Sequence, residues 1–377
     1  MARKSVRFKL LLLCALGLTI QSPAQPDGGA GARRGGMSQV SSPVVNPDNT
    51  VTFNYSAPTA TNVKVNTQFS GTTDMVKKEN GVWSITLGPV APDIYPYSFI
   101  VDGITIMDPK NPEWFPNETF KNSLVDIRGD SPLIHSIQTV PHGGVDYIDY
   151  YSNTMELYGS LVIYTPPSYD HNPNKKYPVF YLISGTTDTE ETYFKVGHTN
   201  FIIDNLIAQG AAKEMIIVMP YGNPMKYYPS GTNLVGKGDI FTKDFLNDLM
   251  PFVENNYRTI NEQSHRGIGG FSRGGGQAMR LGLGNLDKFS YVCSYSSFIG
   301  ANELREIYED PERTNKMLNL FWLGVGTDDF LYEGAKEYMD LLDQHGVKTV
   351  KVFTSDKFGH TWMNAKYFLD QSLRLLF

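Results

Sequence analysis

The sequence has only two cysteines in 377 residues, Cys14 and Cys293. Cys14 lies in an N-terminal segment that we expect to be removed, so the remaining chain cannot form an internal disulfide and must depend on its apolar core. Cysteine and histidine nowhere have the spacing of a zinc site. We therefore predict a protein without a metal and without a cofactor.

Apolar runs long enough to cross a bilayer are also missing, so no membrane span is predicted. The apolar run Leu10–Ile20 follows four basic residues and precedes the small-residue exit Ser22-Pro23-Ala24. This order is typical of a secretory signal peptide, here residues 1–24, and the glycine-rich residues 25–38 are typical of a flexible linker. We expect an exported protein, either periplasmic or extracellular.

Positive charge is scarce as well. The chain has 33 Lys and Arg against 39 Asp and Glu, for a net charge of −6. Four of the basic residues lie in the predicted signal peptide, so the rest of the chain carries a net charge of −10. An acidic surface argues against nucleic acids and anionic membranes as partners.

Residues 39–134 contain short alternating runs such as "TVTFNYSAP", "TNVKVNTQF", "GVWSITLG" and "YPYSFIVDG". Each run fits a half-buried strand, and their spacing predicts a small all-β, immunoglobulin-like sandwich. The segment 109–144 is rich in proline and asparagine and predicts a long surface connection, with a domain boundary near residue 135. In that segment the pair Trp114-Phe115 either stacks on a sugar or packs between domains, and packing is the more common use.

Residues 135–377 have a different pattern. Apolar runs such as "YPVFYLIS" and "EMIIVMP" alternate with amphipathic stretches such as "FTKDFLNDLMPFVENNY" and "TWMNAKYFLDQSLRLLF". The alternation predicts an α/β domain with a mostly parallel sheet and helices on both faces. Such domains bind ligands at the carboxyl ends of their strands.

One of those strand ends carries "GGFSRGG", a G-x-S-x-G pattern with Gly270, Ser272 and Gly274. A strand that turns sharply into a helix strains the serine backbone. Side chains two residues before and two residues after the serine, at Gly270 and Gly274, would collide. The pattern alone would also suit a polar residue in a glycine-rich loop. Because a strand-like run precedes it and a helix-like run follows it, we interpret Ser272 as a nucleophile.

A serine nucleophile needs a base, and the base needs an orienting acid. In this architecture they follow in the order serine, acid, histidine, each after a strand. The strand "LNLFWLGVG" is followed by Asp328 and Asp329, and "VKVFT" by a loop with His360. His345 lies at a predicted helix end, where it suits the helix dipole. We therefore assign His360 as the base, while one of the two aspartates is the acid and the other caps the next helix.

The developing oxyanion must be met by backbone N–H groups. One is expected from Arg273, directly after the nucleophile, and the other from Gly185 or Thr186 in the loop after "YPVFYLIS".

Aromatic residues are plentiful in "TYFKVGHTNF" and "PYGNPMKYYPSG" and would suit a phenolic acid, although such residues more often pack in a core. Our candidate substrate contacts are Tyr193, His198 and Tyr221.

Several stretches between Tyr164 and Leu369 resemble the esterase D/feruloyl esterase group of α/β-hydrolases, a carbohydrate esterase family. They include "YTPPSYD", "KKYPVFYLISG", "MIIVMPYGN", "FSRGGGQAM", "GTDDFLYEGAK" and "FGHTWMNAKYFL". The resemblance implies an α/β-hydrolase fold with the triad Ser272, Asp329 and His360. The sandwich is similar to the early-set or glycogen-binding-like modules that precede such esterases.

Two positions depart from the family pattern. The loop after the first parallel strand reads Ser184-Gly185 where the family usually has His-Gly, which removes a side chain that supports the loop. Arg273 follows the nucleophile where methionine is common. Its guanidinium either faces an anionic part of the substrate or pairs with a carboxylate of the protein.

The resemblance implies a serine carboxylesterase that acts on acylated plant polysaccharide, with release of ferulic acid from xylan or its oligosaccharides as the leading expectation. An acetylxylan esterase and an enzyme that transfers the acyl group to a sugar remain alternatives. A third alternative is a glycan-binding protein on a degenerate esterase scaffold.

Overall fold

The computed structural model describes residues 40–228, 239–355 and 359–377. The predicted signal peptide and linker, residues 1–38, lie outside the described residues. From Val40 to Phe377 the chain forms one compact unit.

Within residues 40–127, nine short strands form two antiparallel sheets. The strands are β1 (Val44–Val45), β2 (Val51–Ser56), β3 (Val63–Thr67), β4 (Gly71–Asp74), β5 (Val76–Lys77), β6 (Val82–Leu87), β7 (Asp93–Val101), β8 (Ile104–Ile106) and β9 (Ser123–Ile127). One sheet has the order β1-β2-β6-β5 and the other β4-β3-β7-β8, with β9 also paired to β7. Side chains that alternate inwards, such as Phe53, Val65 and Phe99, make the shared core, as the alternating sequence pattern predicted.

The prediction of a surface connection from 109 to 144 is wrong in its middle part. Residues 123–127 form β9 on the long strand β7, and Phe115 is buried with Ile94, Leu124 and Val196 between the sandwich and the second domain. The ammonium group of Lys195 lies over the ring of Trp114, 4.6 Å from the ring centroid. The aromatic pair therefore packs between elements, as its more common use suggested.

In the described residues, the sheet of the second domain has eight strands in the order β10-β11-β13-β12-β14-β15-β16-β17. They are β10 (Gly144–Ser152), β11 (Leu157–Thr165), β12 (Val179–Ile183), β13 (Ile216–Pro220), β14 (Arg266–Phe271), β15 (Tyr291–Tyr295), β16 (Leu320–Gly326) and β17 (Val350–Thr354). The first two strands are antiparallel to their neighbours, and the other six are parallel.

Helices cover both faces of this sheet. They are α1 (Thr192–Lys195), α2 (Thr199–Ala208), α3 (Ile240–Asp244), α4 (Met250–Asn256), α5 (Arg273–Leu283), α6 (Glu306–Glu309), α7 (Pro311–Met317), α8 (Tyr332–Gln344) and α9 (Trp362–Leu373), and a π-helical turn joins α3 to α4. Two apolar clusters lie on opposite faces of the strands. Because both faces are covered, every residue of β12, β13 and β15 is buried, which explains their continuous apolar runs. The predicted α/β fold with a preceding β-sandwich is confirmed.

A buried ion pair joins the sandwich to the last helix. The ammonium group of Lys366, on α9 and 1% exposed, contacts the carboxylate of Asp93 at the start of β7. The imidazole Nε2 of His135 lies 3.8 Å from the same carboxylate. Burial, the largest cause, and then the charge of Lys366 lower the pKa of His135 to about 2. His135 is therefore neutral, and Lys366 is the cation that balances Asp93.

We predict that Asp93→Ala lowers the free energy of unfolding by about 3–5 kcal/mol, because it leaves the ammonium group of Lys366 buried without an anion. The double variant Asp93→Ala/Lys366→Met should recover much of the loss, since it removes both charges. Urea unfolding measures both changes. Lys64→Met, which breaks an exposed pair with Asp74, is the control and should change the free energy of unfolding little, because solvent screens exposed pairs. A loss no larger for Asp93→Ala than for this control would contradict the prediction.

Candidate active site

The turn between β14 and α5 holds Ser272 in a strained conformation, with φ 56° and ψ −123°. A side chain at Gly270 would lie 2.5 Å from backbone atoms of Gly274 and Ile183, and one at Gly274 would lie 2.1 Å from the Ile183 oxygen. Only glycine fits at these two positions, so the predicted strand–turn–helix setting is present. The turn directs Ser272 towards the loops at the carboxyl ends of the parallel strands.

His360 lies between the serine and an aspartate. Its Nε2 is 2.8 Å from Ser272 Oγ, and its Nδ1 is 3.0 Å from both carboxylate oxygens of Asp329. With the proton on Nδ1, the imidazole donates to the carboxylate and accepts from the serine hydroxyl. These three side chains therefore have the geometry that activates a serine for nucleophilic attack.

Asp329, and not Asp328, is the aspartate that contacts His360. Asp329 is buried after β16 and also accepts the N–H of Leu331 at 2.9 Å, whereas Asp328 is exposed. Burial acts to raise the pKa of Asp329, but hydrogen bonds from His360, Leu331 and Ser296 prevail and lower it. The carboxylate therefore stays ionised and can stabilise an imidazolium as it forms.

Two phenylalanines flank the imidazole of His360. The ring of Phe271 stacks on it at 4.8 Å between centroids, and that of Phe330 lies at 4.5 Å. Phe271 is buried, but Phe330 is 77% exposed. An aromatic surface is thus open to solvent directly beside the serine and histidine.

The loop after β12 brings its backbone close to Ser272. A Cβ on Gly185 would lie 3.5 Å from the Cβ of Ser272. The N–H of Gly185 already donates to the carboxylate of Asp188, at 3.1 Å. Thr186 is exposed, and its N–H has no hydrogen-bond partner among residues 40–228, 239–355 and 359–377. Of the two predicted donors in this loop, Thr186 is thus the one whose N–H is not already engaged within the described residues.

Arg273, the first residue of α5, hydrogen-bonds this loop through its side chain. Its Nη2 donates to the Gly185 carbonyl oxygen at 3.0 Å, and its charge interacts with Glu118 and Asp188. Of the two orientations left open by the sequence, the guanidinium therefore adopts the one directed at groups of the protein. Ser184, in the place of the usual histidine, donates to the Thr189 oxygen at 3.0 Å.

The three candidate substrate contacts lie in different surroundings. Tyr193 is 1% exposed and packs its ring on Trp362 at 4.8 Å, so it is a core residue and the substrate-contact prediction is wrong for it. His198 packs its ring on that of His135 and contacts the His135 carbonyl oxygen; among the described residues it forms no hydrogen bond or ring contact with Ser272 or His360. Tyr221 follows β13, and its hydroxyl donates to Glu118 at 2.6 Å.

Three polar residues near the site were missed by the sequence analysis: Asn117, Glu118 and Asp188. Glu118 is largely buried, and it accepts hydrogen bonds from Tyr221 and Asn223. The first two residues belong to "PNETF", a segment of ordinary turn composition. Nothing in that composition indicates a contact with a strand end some 70 residues later in the chain.

None of the helices in the described parts of the chain combines the length and apolar character needed to cross a membrane. The same parts contain no group of three or more histidine, cysteine, aspartate or glutamate side chains placed to hold a metal ion.

Comparison with known proteins places this geometry in a family context. The model of the Esterase family, described as "Putative esterase", matches residues 152–356. The chain is 26% identical over 345 residues to "Endo-1,4-beta-xylanase/feruloyl esterase" of Xylanibacter ruminicola. The aligned region covers 89% of this chain and 46% of that protein. The chain thus spans less than half the length of this curated relative.

Two solved structures are similar in fold. A ferulic acid esterase matches with a TM-score of 0.55 and 25% identity, covering 62% of this chain and 97% of that one. The enterobactin esterase FES from Shigella flexneri matches with a TM-score of 0.63 and 16% identity, covering 87% of this chain and 92% of that one. Because 87% is more than residues 135–377 alone could supply, the second likeness extends into the sandwich.

We predict that Asp329→Asn slows covalent labelling of Ser272 by an alkyl fluorophosphonate by about three to four orders of magnitude, because the amide no longer holds the correct histidine tautomer. Intact-mass measurement of labelled protein over time gives the rate. Asp328→Asn is the matched control and should label within a few-fold of wild type. Equal labelling rates for the two variants would contradict the assignment of the acid.

Proposed function

This chain belongs to the Esterase family, and from that premise we propose that it is a serine carboxylesterase with Ser272, His360 and Asp329 as its catalytic triad. The observation that carries the proposal is the unbroken series of hydrogen bonds from Asp329 through His360 to Ser272 Oγ. Family membership supports the reaction class, and the hydrogen bonds support the role proposed for each residue.

The reaction proceeds in two acyl-transfer steps. Ser272 Oγ attacks the ester carbonyl while His360 Nε2 takes the hydroxyl proton, and the oxyanion is met by the backbone N–H groups of Arg273 and Thr186. His360 then returns the proton to the leaving alcohol as the C–O bond breaks. Water then attacks the acyl-enzyme while His360 takes its proton, and His360 returns that proton to Ser272 Oγ as the acyl-enzyme bond breaks and the carboxylic acid leaves.

The substrate in this proposal is an acylated plant polysaccharide, with ferulic acid released from xylan or its oligosaccharides. The names of the curated relative and of one similar structure, a xylanase/feruloyl esterase and a ferulic acid esterase, support this substrate class. The exposed ring of Phe330 beside His360 supports it independently, because planar phenolic acids pack well on aromatic rings.

An acetyl group is the competing acyl group, and it would need no aromatic surface. Transfer of the acyl group to a sugar hydroxyl would use the same triad, with the sugar in place of water. A glycan-binding protein without activity is the least favoured alternative, since all three triad residues are present in hydrogen-bonded contact.

Two further parts of the proposal concern organisation and location. We propose an immunoglobulin-like sandwich over residues 39–134 and an α/β-hydrolase domain over residues 135–377. The sequence of residues 1–24 supports export to the periplasm or beyond, and a mature chain that starts near Gln25 would be found by N-terminal sequencing of the exported protein.

We predict that the wild-type protein releases ferulate from methyl ferulate and that Ser272→Ala loses activity by several orders of magnitude, because the nucleophile is removed. Initial rates with methyl ferulate and with an acetyl ester, at matched concentrations, give the comparison. Product analysis with added xylo-oligosaccharide separates hydrolysis from transfer.

Acetate release alone would move the assignment to an acetyl esterase. If neither ester is cleaved, or if Ser272→Ala equals wild type, the esterase proposal fails and glycan binding becomes the better hypothesis.

A further inference from the structure

A loop of the sandwich, residues 107–122 between β8 and β9, reaches the loop after β12. Asn117 and Asp188 form an isolated antiparallel bridge. The N–H of Glu118 donates to the Thr187 oxygen at 2.8 Å, and Thr192 Oγ1 donates to the Pro116 oxygen, also at 2.8 Å. Residues 116–118 thus add a short extended segment to the loop that lies beside Ser272.

Hydrogen bonds of its own loop fix the direction of the Asn117 amide. Its Oδ1 accepts the N–H groups of Thr119 and Phe120 at 2.9 and 3.3 Å. Because these donors need an oxygen, the amide nitrogen must face the other way. There Nδ2 donates to Thr187 Oγ1 at 3.0 Å and to Asp188 Oδ1 at 3.3 Å. Asn117 is only 4% exposed, so water does not compete readily for these bonds.

Asp188 connects this amide to the backbone next to the nucleophile. One carboxylate oxygen accepts from Asn117, and the other accepts the N–H of Gly185 at 3.1 Å. The residue is 5% exposed. Its carboxylate thus bridges the sandwich loop and the peptide that precedes Thr186, the residue proposed as an oxyanion donor.

We infer that Asn117 is a positioning residue, which holds the Asp188 carboxylate and through it the Gly185–Thr186 backbone in the place that meets the oxyanion. The sandwich then supplies part of the catalytic apparatus. This inference rests on the proposed esterase function, because it assigns a role in ester cleavage to the loop.

The charges around Asp188 determine how the contact responds to pH. Burial raises the pKa of Asp188 to about 7, while the hydrogen bonds from Gly185 and Asn117 and the charge of Arg273, on α5, act to lower it. Glu118, on the sandwich loop, acts to raise it, and Tyr193, on α1, interacts with the same carboxylate.

The test exchanges the two side chains. Asn117→Asp keeps the oxygen that accepts from Thr119 and Phe120, but it places a second carboxyl group against Asp188. Two adjacent carboxyl groups share a proton at lower pH and repel each other when both are ionised. The reciprocal double variant Asn117→Asp/Asp188→Asn restores one amide facing one carboxylate, and the new amide oxygen can still accept the N–H of Gly185.

We predict that Asn117→Asp lowers kcat for methyl ferulate by about ten- to a hundredfold at pH 8, with KM changed little, because a misplaced oxyanion donor affects the transition state. The ratio of its kcat to that of wild type should fall as pH rises, since the carboxyl pair loses its shared proton. The double variant should regain most of the activity and lose this pH dependence.

Lys121→Met is the matched control. It removes a hydrogen bond to the Asn117 carbonyl oxygen in the same loop and leaves the amide of Asn117 in place, so it should keep wild-type kcat. If Asn117→Asp equals this control, or if the double variant stays as slow as the single one, the positioning role is wrong.

Amide hydrogen exchange of the peptide spanning residues 182–190 gives a readout that needs no substrate. We expect faster exchange in Asn117→Asp than in wild type, and protection restored in the double variant. If wild type cleaves no ester, the proposed function fails, and the exchange comparison alone decides whether Asn117 holds the loop. Equal exchange in all variants would overturn the inference.

Discussion

Between β14 and α5 the chain leaves no space for a side chain two residues before or after Ser272, and it holds the serine at a positive φ. The rest of the site depends on this constraint. Because the turn fixes Ser272 Oγ relative to the strand ends, the loops after β16 and β17 can meet it with Asp329 and His360 in hydrogen-bonded contact. Strain of this kind persists only where the surrounding structure imposes it, and here the buried strands on either side of β14 do so.

The sandwich contacts the α/β domain at two places. Its long strand β7 is joined to α9 by the buried pair of Asp93 and Lys366, and its loop 107–122 pairs with the loop after β12. Ser184 donates to the Thr189 oxygen of that loop, and Arg273 and Asp188 bind the Gly185 carbonyl oxygen and N–H. Both positions that depart from the family pattern, Ser184 and Arg273, therefore hydrogen-bond this loop.

The sequence predicts features that are local in the chain and fails where distant segments meet. The alternation of β2, β3, β6 and β7, the continuous apolar runs of the parallel strands and the glycines around Ser272 each carry their own signal. Strand β9 was not predicted, because it is only five residues long and lies in a segment rich in proline and asparagine. The contact of Asn117 with Asp188 joins residues 71 positions apart, and no periodicity encodes it. Tyr193 was predicted to contact the substrate because the sequence does not distinguish a buried aromatic ring from an exposed one.

We propose that Ser272 carries the acyl group during turnover, and this intermediate can be trapped. The protein would be mixed with an excess of a feruloyl ester, quenched in acid within the first turnovers and mapped by peptide mass spectrometry, with His360→Ala as the comparison. We expect a feruloyl group on the peptide that contains Ser272 in wild type and none in the variant. Ester cleavage with the acyl group on another residue, or equal acylation of Ser272 without His360, would contradict it.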